Sequence, residues 1–369
     1  MTPEHRADLL RNIWWAAVHA VAGDTAVARS LTEVPIPRPD LILAVGKAAV
    51  AMAKPAHARF AAPTLAVTKR GHSEQGLAFD VLETAHPVPD ASSLAAGARL
   101  LAEVTKAPPG SHLLLLVSGG ASALAEAPRP GVTLADITAL NRNLLASGQD
   151  IATMNAARTR LSRIKGGGLL SQFQGSRVTV LAISDTSGDQ IETIGSGIGL
   201  CPPRPGLICD TRIVASNAVA RAAAATKAQS LGMSVHGNAE TLYDDVAAAA
   251  LLMTRTLPTA PGLMIWGGEP TVVLPPNPGQ GGRNQALALH MAQAIRGRSD
   301  LSVLVAGTDG SDGPTTAAGG LVDGTTWDDS AAAFLRSADS GSYLAAHGAL
   351  FTTGPTGTNV MDLALALLG

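Results

Sequence analysis

The chain has 369 residues, 46% apolar and 15% charged, with 27 basic and 29 acidic side chains giving a net charge of −2. That length suits about two domains, each with room for a substantial core. The composition excludes a disordered chain, and the charge balance excludes a nucleic-acid-binding protein that works through a basic surface.

Thr2 is placed to cap and Pro3 to begin a first helix. Within it Leu10, Ile13, Trp14, Ala17, Val18 and Val21 recur at three- and four-residue spacing, and it ends near Gly23. Glu4, Arg6, Asp8 and Arg11 interrupt the hydrophobic stretch that a signal peptide needs. No apolar run in the chain reaches the ~18 residues of a membrane span, so a cytoplasmic globular protein is expected.

A repeated pattern of apolar run, glycine and helix follows. Asp40–Val45 breaks at Gly46, Thr64–Lys69 forms a second short strand, His112–Val117 breaks at Ser118-Gly-Gly-Ala-Ser122, and Arg177–Ile183 breaks at Ser184-Asp185. Near-continuous apolar strands alternating with helices predict a mostly parallel sheet covered on both faces. Leu134 to Ile164 reads as two helices with a break near Ser147-Gly148. After Cys201-Pro-Pro-Arg-Pro-Gly206 the pattern predicts an Ala-rich helical region from Ala215 to about Leu257, turning near Gly232–Asn238. Strands are expected again at Leu263–Trp266, Thr271–Leu274, Leu301–Ala306 and Ala349–Thr352. The expected domains are 1–240 and 241–369.

In an open parallel sheet, ligands bind outside the carboxyl ends of the strands, where loops lead into helices. Small, polar and charged residues stand at such ends throughout this chain. Ser118, Gly119, Gly120, Ala121 and Ser122 follow the most apolar strand and suit backbone binding of an anion, although no G-x-x-x-x-G-K-[ST] phosphate loop occurs. Lys47 follows Gly46 where a cation reaches a phosphate or carboxylate. Asn155 and Arg158 share a helical face ahead of Lys165 and three glycines, and Lys165 equally suits a helix C-terminus. Asp185 and Asp189 lie four apart in a glycine-containing loop, a pattern for Mg²⁺ or for a base facing a hydroxyl. Gly267-Gly-Glu269, Gly281-Gly-Arg-Asn-Gln285, Gly307-Thr-Asp309 and Gly354-Pro-Thr-Gly-Thr-Asn359 repeat the theme in the second half. Cys201 and Cys209 fit no common zinc or redox spacing, and the nine histidines form no H-E-x-x-H.

Together these segments resemble the glycerate 2-kinase family, the class II glycerate kinases, whose C-terminal part is the MOFRL domain. The resemblance rests on Val45-Gly-Lys-Ala-Ala49, Val67-Thr-Lys69, His86-Pro-Val-Pro-Asp90, Val117-Ser-Gly-Gly-Ala-Ser-Ala123, Met154-Asn155 and Leu161-Ser-Arg-Ile-Lys-Gly-Gly167. It continues through Ser184-Asp185 with Gly188-Asp189, the glycine motifs of the second half, Asp312-Gly313 and Thr353-Gly-Pro-Thr-Gly-Thr-Asn359.

The resemblance implies a Rossmann-like parallel-sheet N-terminal domain, a smaller α/β MOFRL-type C-terminal domain and an active site in the cleft between them. It further implies ATP-dependent phosphorylation of D-glycerate at its 2-hydroxyl with Mg²⁺. Charge and hydropathy lead us to expect no nucleic-acid or membrane partner, and the oligomeric state, a homodimer among the options, is left open. Carried onto this chain, Lys47, Asp189 and Arg283 would be catalytic, with Asp185 and Asp189 holding metal. Ser118 to Ser122, Asn155, Lys165, Lys69, Glu269, Asn284, Asp309, Thr356 and Asn359 would bind substrate or nucleotide. Only six of the 27 basic residues are lysine, and three of those six fall in these motifs.

The chain departs from the family pattern at Thr153, at Ser196-Gly-Ile-Gly199 and at Met361-Asp362, where the family has an acidic residue, Ser-Gly-Pro-Thr and Asn-Asp. Those departures bear on which hydroxy acid is the substrate. Two other readings compete. One is an NAD(P)H-dependent hydroxypyruvate reductase, against which the absence of a G-x-G-x-x-G after any predicted strand counts. The other is a non-catalytic sugar-acid-binding protein.

Overall fold

The computed structural model describes residues 1–147 and 151–369. The helix break expected near Ser147-Gly148 runs into residues outside that description. The chain divides into two compact units, a first of residues 21–216 with 357–359 and a second of 1–20, 217–356 and 360–369.

The first unit is built on β1 (Leu41–Val45), β2 (Thr64–Lys69), β3 (Asp80–Thr84), β4 (His112–Val117), β5 (Arg177–Ile183) and β6 (Ile208–Ala215). They form one sheet in the order β3-β2-β1-β4-β5-β6, every pairing parallel. Every residue of β1 and β4 is buried, as expected of central strands covered by helices on both faces. Leu43, Val45, Leu113, Leu115, Val117, Val178 and Val180 carry the core of this unit. The strand order is the doubly wound one, with its topological switch between β1 and β4, and the expected Rossmann-like sheet is present. The two cysteines, which their spacing left without a role, are joined as a disulfide between β6 and the preceding loop.

The second unit holds a mixed sheet of β7 (Val235–Leu242), β8 (Gly262–Gly268), β9 (Leu301–Gly307), β10 (Gly319–Asp323), β11 (Leu350–Phe351) and β12 (Asp362–Leu368). Its order is β11-β10-β9-β12-β8-β7, with only β7–β8 parallel. Because β12 runs antiparallel to both neighbours, β8 and β9 share a direction, and their carboxyl ends meet the start of β12 at one edge.

Three expectations change here. The helical region expected from Ala215 to Leu257 contains β7, so a boundary at 240/241 would cut a strand. Thr271–Leu274 forms no strand beyond one bridge at Thr271; Val273 and Leu274 are exposed, and their β-forming side chains find no sheet partner. The first helix, Pro3–Val21, is capped by the Thr2 hydroxyl as expected, yet residues 1–20 pack with the C-terminal half. Trp14 meets Phe351 edge to face at 5.0 Å. The fully buried Arg6 donates to the Ser302 hydroxyl and to the carbonyls of Met1, Ser299 and Gly369. Among the described residues no helix is long and apolar enough to cross a membrane.

Candidate active site

In the first unit the expected site residues gather at the carboxyl edge of the parallel sheet, at and beside the switch point. Gly46 follows β1 at φ 132°, a conformation that side-chain-bearing residues rarely adopt, and a Cβ there would lie 2.1 Å from the Ser118 hydroxyl. This closeness lets the loops after β1 and β4 knit together. The Lys47 amide donates to the Gly119 carbonyl at 2.9 Å, the Ala48 amide to Ser118 Oγ at 3.0 Å, and the Ser118 amide to the Val45 carbonyl at 3.0 Å. Ser118 thus helps to hold the turn through both its amide and its hydroxyl oxygen. The backbone of Lys47 is fixed while its half-buried side chain runs beside Gly120. Lys69 ends the adjacent β2, at the same edge.

Asp185 follows β5 at that edge, and its Oδ2 accepts from Asn359 Nδ2 at 3.3 Å. Gly119 lies against both; a Cβ there would come within 2.1 Å of each. Asn359 arrives on the short segment 357–359, which is pinned where Thr358 Oγ1 donates to the Val21 carbonyl and the Gly23 amide to the Gly357 carbonyl. Asp189 is half-buried in a left-handed conformation at φ 52°.

Two expected ligands are buried and engaged within the protein. The Lys165 ammonium donates to Glu126 Oε2 at 2.5 Å with both side chains at most 2% exposed. Glu126 Oε1 also accepts from Ser162 Oγ at 2.5 Å and from the Ala127 amide at 2.9 Å, so the carboxylate is fully used. Burial lowers the Lys165 pKa against the pull of Glu126. Asn155 is likewise buried, its amide committed to Ser196, Arg158 and the Thr193 carbonyl.

In the second unit Arg283 opens a helix at Arg283–Ala294 and is gripped by two carboxylates. Its Nε and Nη2 donate to Asp362 at 2.6 and 3.2 Å, and its Nη1 pairs with Glu269 at 2.9 Å. Asp362 is buried at the start of β12, opposite Gly268 and Gly307 in register, whereas Glu269 is exposed just after β8. Burial works against the charge of Arg283, but Asp362 and Glu269 raise its pKa above the usual guanidinium value. Glu269 is thus a partner of Arg283. Asp309 accepts from the Ser311 amide and hydroxyl, and Thr356 donates to the Thr308 carbonyl, so both brace the loop after β9. Asn284 is buried, with its amide donating toward Asp312.

Asp312, quoted in the sequence motif without a role, is 2% exposed and accepts from the Asn284 and Gln285 amides at 3.1 and 2.8 Å. Burial, with the charge of Asp362 nearby, raises its pKa to about 7 against those amides and Arg283. With a folded pKa above the unfolded one, native Asp312 holds its proton up to about pH 7, and stability declines as pH rises from about 4 to about 7. The Asp312→Asn variant is expected to flatten this decline. Urea unfolding across that range should move in the variant's favour by roughly 4 kcal/mol, from the ~3-unit displacement. Parallel curves for the two proteins would refute the assignment.

Sequence reasoning missed Glu126, Asp362 and Ser196 as working residues. Glu126 is a lone acid within the apolar stretch Ala121–Ala127, and Asp362 the lone charge opening the apolar run to Leu368. A single charge embedded in apolar sequence is the signal that marks both, since such a group must be paired when buried.

Among the described residues no group of three or more His, Cys, Asp or Glu gathers as a metal centre. Mg²⁺ commonly takes one or two carboxylates and fills its shell with phosphate oxygens and water, and the acidic loop of Asp185 and Asp189 fits that demand.

Residues 9–227 match a family described only as a domain of unknown function, DUF4147, and residues 262–362 match the MOFRL family. The chain is 34% identical to the D-glycerate 2-kinase of Thermotoga maritima over 99% of both proteins. It is 32% identical to the glycerate 2-kinase of Pyrococcus horikoshii over 89% of this chain and 87% of that one. The crystal structure of glycerate kinase from Thermotoga maritima matches with a TM-score of 0.85 at 32% identity, covering 99% of this chain and 100% of the other.

Proposed function

Because the chain belongs to the glycerate 2-kinase family, we propose that it transfers the γ-phosphoryl group of ATP to the 2-hydroxyl of D-glycerate, giving 2-phosphoglycerate. The observation that carries this reading is the switch point of the parallel sheet, where a positioned lysine and a two-carboxylate loop occupy one edge beside a glycine turn without side chains.

Phosphoryl transfer asks the protein mainly for positioning and charge neutralisation. Lys47, a compact cation on a fixed backbone, neutralises the substrate carboxylate or the transferring phosphoryl group. Asp189 takes the proton of the 2-hydroxyl. Asp185, oriented by Asn359, would hold with Asp189 the Mg²⁺ that accompanies the nucleotide, an ion that neutralises phosphate charge when bound. In the second unit Asp362 fixes the orientation of Arg283, and the exposed Glu269 is the partner that a phosphate oxygen displaces from its fork.

The test is an ADP-release assay with ATP and a panel of small hydroxy acids, followed by NMR of the product to identify the phosphorylated oxygen. ADP release that depends on D-glycerate, with phosphate on O2, is expected. Hydroxypyruvate-dependent oxidation of NADH without coupling enzymes, or no acid-dependent ADP release, would overturn the proposal.

A further inference from the structure

Ser196 adopts a left-handed backbone at φ 56° and ψ 39°, between Gly195 and Gly197, which share that handedness. Glycine fits such a position without strain, whereas serine does not. The chain nevertheless carries a hydroxyl there, 2% exposed, and that hydroxyl joins three of the motifs described above. Ser196 Oγ lies 2.9 Å from Asn155 Oδ1 and 2.9 Å from Ser122 Oγ.

The direction of each bond follows from donor and acceptor counting. Arg158 Nη1, a pure donor, lies 3.3 Å from Asn155 Oδ1, while Asn155 Nδ2 donates to the Thr193 carbonyl at 3.4 Å. Together they fix which end of the amide is oxygen. Ser196 must then give its only proton to Asn155. The bond between the two serines can be made only with the Ser122 proton, donated to Ser196. Ser122 is half-exposed, whereas Ser196 and Asn155 are buried, so the chain of hydrogen bonds reaches the surface at Ser122. What Ser122 offers a ligand there is lone pairs. Lone pairs repel a phosphate oxygen and attract the proton of an alcohol.

We propose that Ser122 accepts a hydrogen bond from the unreacted hydroxyl of the hydroxy-acid substrate, and that Ser196 is the positioning residue that turns the Ser122 oxygen to do so. This deepens the kinase reading and rests on it. Ser122 thereby contributes to selecting an acid that carries a second hydroxyl. The network also braces the acidic loop, because Asn155 bonds the Thr193 carbonyl and Thr193 Oγ1 meets Thr186 Oγ1 at 2.9 Å.

The test compares wild type, Ser122→Ala, Ser196→Gly and the double variant for KM toward D-glycerate and toward ATP, with thermal unfolding in parallel. Ser196→Gly relieves the backbone and should keep its melting temperature, which separates positioning from folding. Each single variant is expected to raise the glycerate KM about tenfold, the worth of one hydrogen bond. ATP KM should stay within twofold, and the double variant should be no worse than the weaker single, because both substitutions break one chain. A rise in ATP KM instead, multiplied effects in the double variant, or unchanged glycerate KM in both singles would overturn the inference. A wild-type protein that releases no ADP with D-glycerate would instead refute the kinase reading.

Discussion

Replacing Lys47 with alanine is expected to lower kcat by about a thousandfold, as loss of a charge-stabilising donor at the reacting group does, while the protein stays folded. The separation follows from where the residue is held. The amide and carbonyl of Lys47 do the structural work, bonding Gly119 and Thr68 across the switch point, and alanine keeps both. The side chain is half-buried beside a glycine, so truncation opens no core cavity. Lys47→Arg should recover little, because a planar fork does not present its charge as a compact ammonium does. The measurements are kcat from ADP release and the melting temperature. Near-normal turnover in Lys47→Ala would remove the assigned role.

The second large effect concerns stability. Glu126→Gln is expected to cost about 3–5 kcal/mol, because it leaves the Lys165 ammonium buried without a compensating charge. For a unit of this size that corresponds to a melting temperature lower by roughly 10 °C. Replacing both residues with methionine should recover much of the loss, since a buried pair exchanged for packed apolar groups is often nearly neutral. Recovery will be incomplete where Ser162 and the Ala127 amide lose their acceptor. If instead Lys165→Met abolished activity in a protein as stable as wild type, Lys165 would be a substrate ligand after all.

The contrast between these two lysines shows what was legible in the sequence. Both sit beside glycines in motifs that the family resemblance marks, and sequence alone treats them alike. Lys47 keeps its expected place because its position depends on local events: an apolar strand buried on both faces, then a glycine. The burial of Lys165 against Glu126 was not readable, because that partner lies 39 positions away, and no short pattern encodes the meeting. Arg283 shows both sides. Its place at the start of a helix was readable from Gly281-Gly282, but the grip of Asp362, 79 positions distant, was not. The same holds for strands. β1, β4 and β5 announce themselves as apolar runs, whereas β7 alternates exposed and half-buried residues at a sheet edge, too polar to stand out from the helices beside it. Thr271–Leu274 erred in the opposite direction, with strand-forming side chains but no neighbouring strand.

The capture of residues 1–20 by the later half of the chain bears on how the protein is made. Translation delivers the Pro3–Val21 helix, with Leu10, Ile13 and Trp14 on its apolar stripe, long before the strand carrying Phe351 and the Gly369 carbonyl. Residues 21–216 can condense on the ribosome in the meantime, since domains tend to fold in the order they are synthesised. The leading helix cannot meet those partners until some 350 residues have followed, so its closure onto the finished sheet comes late in the making of the protein.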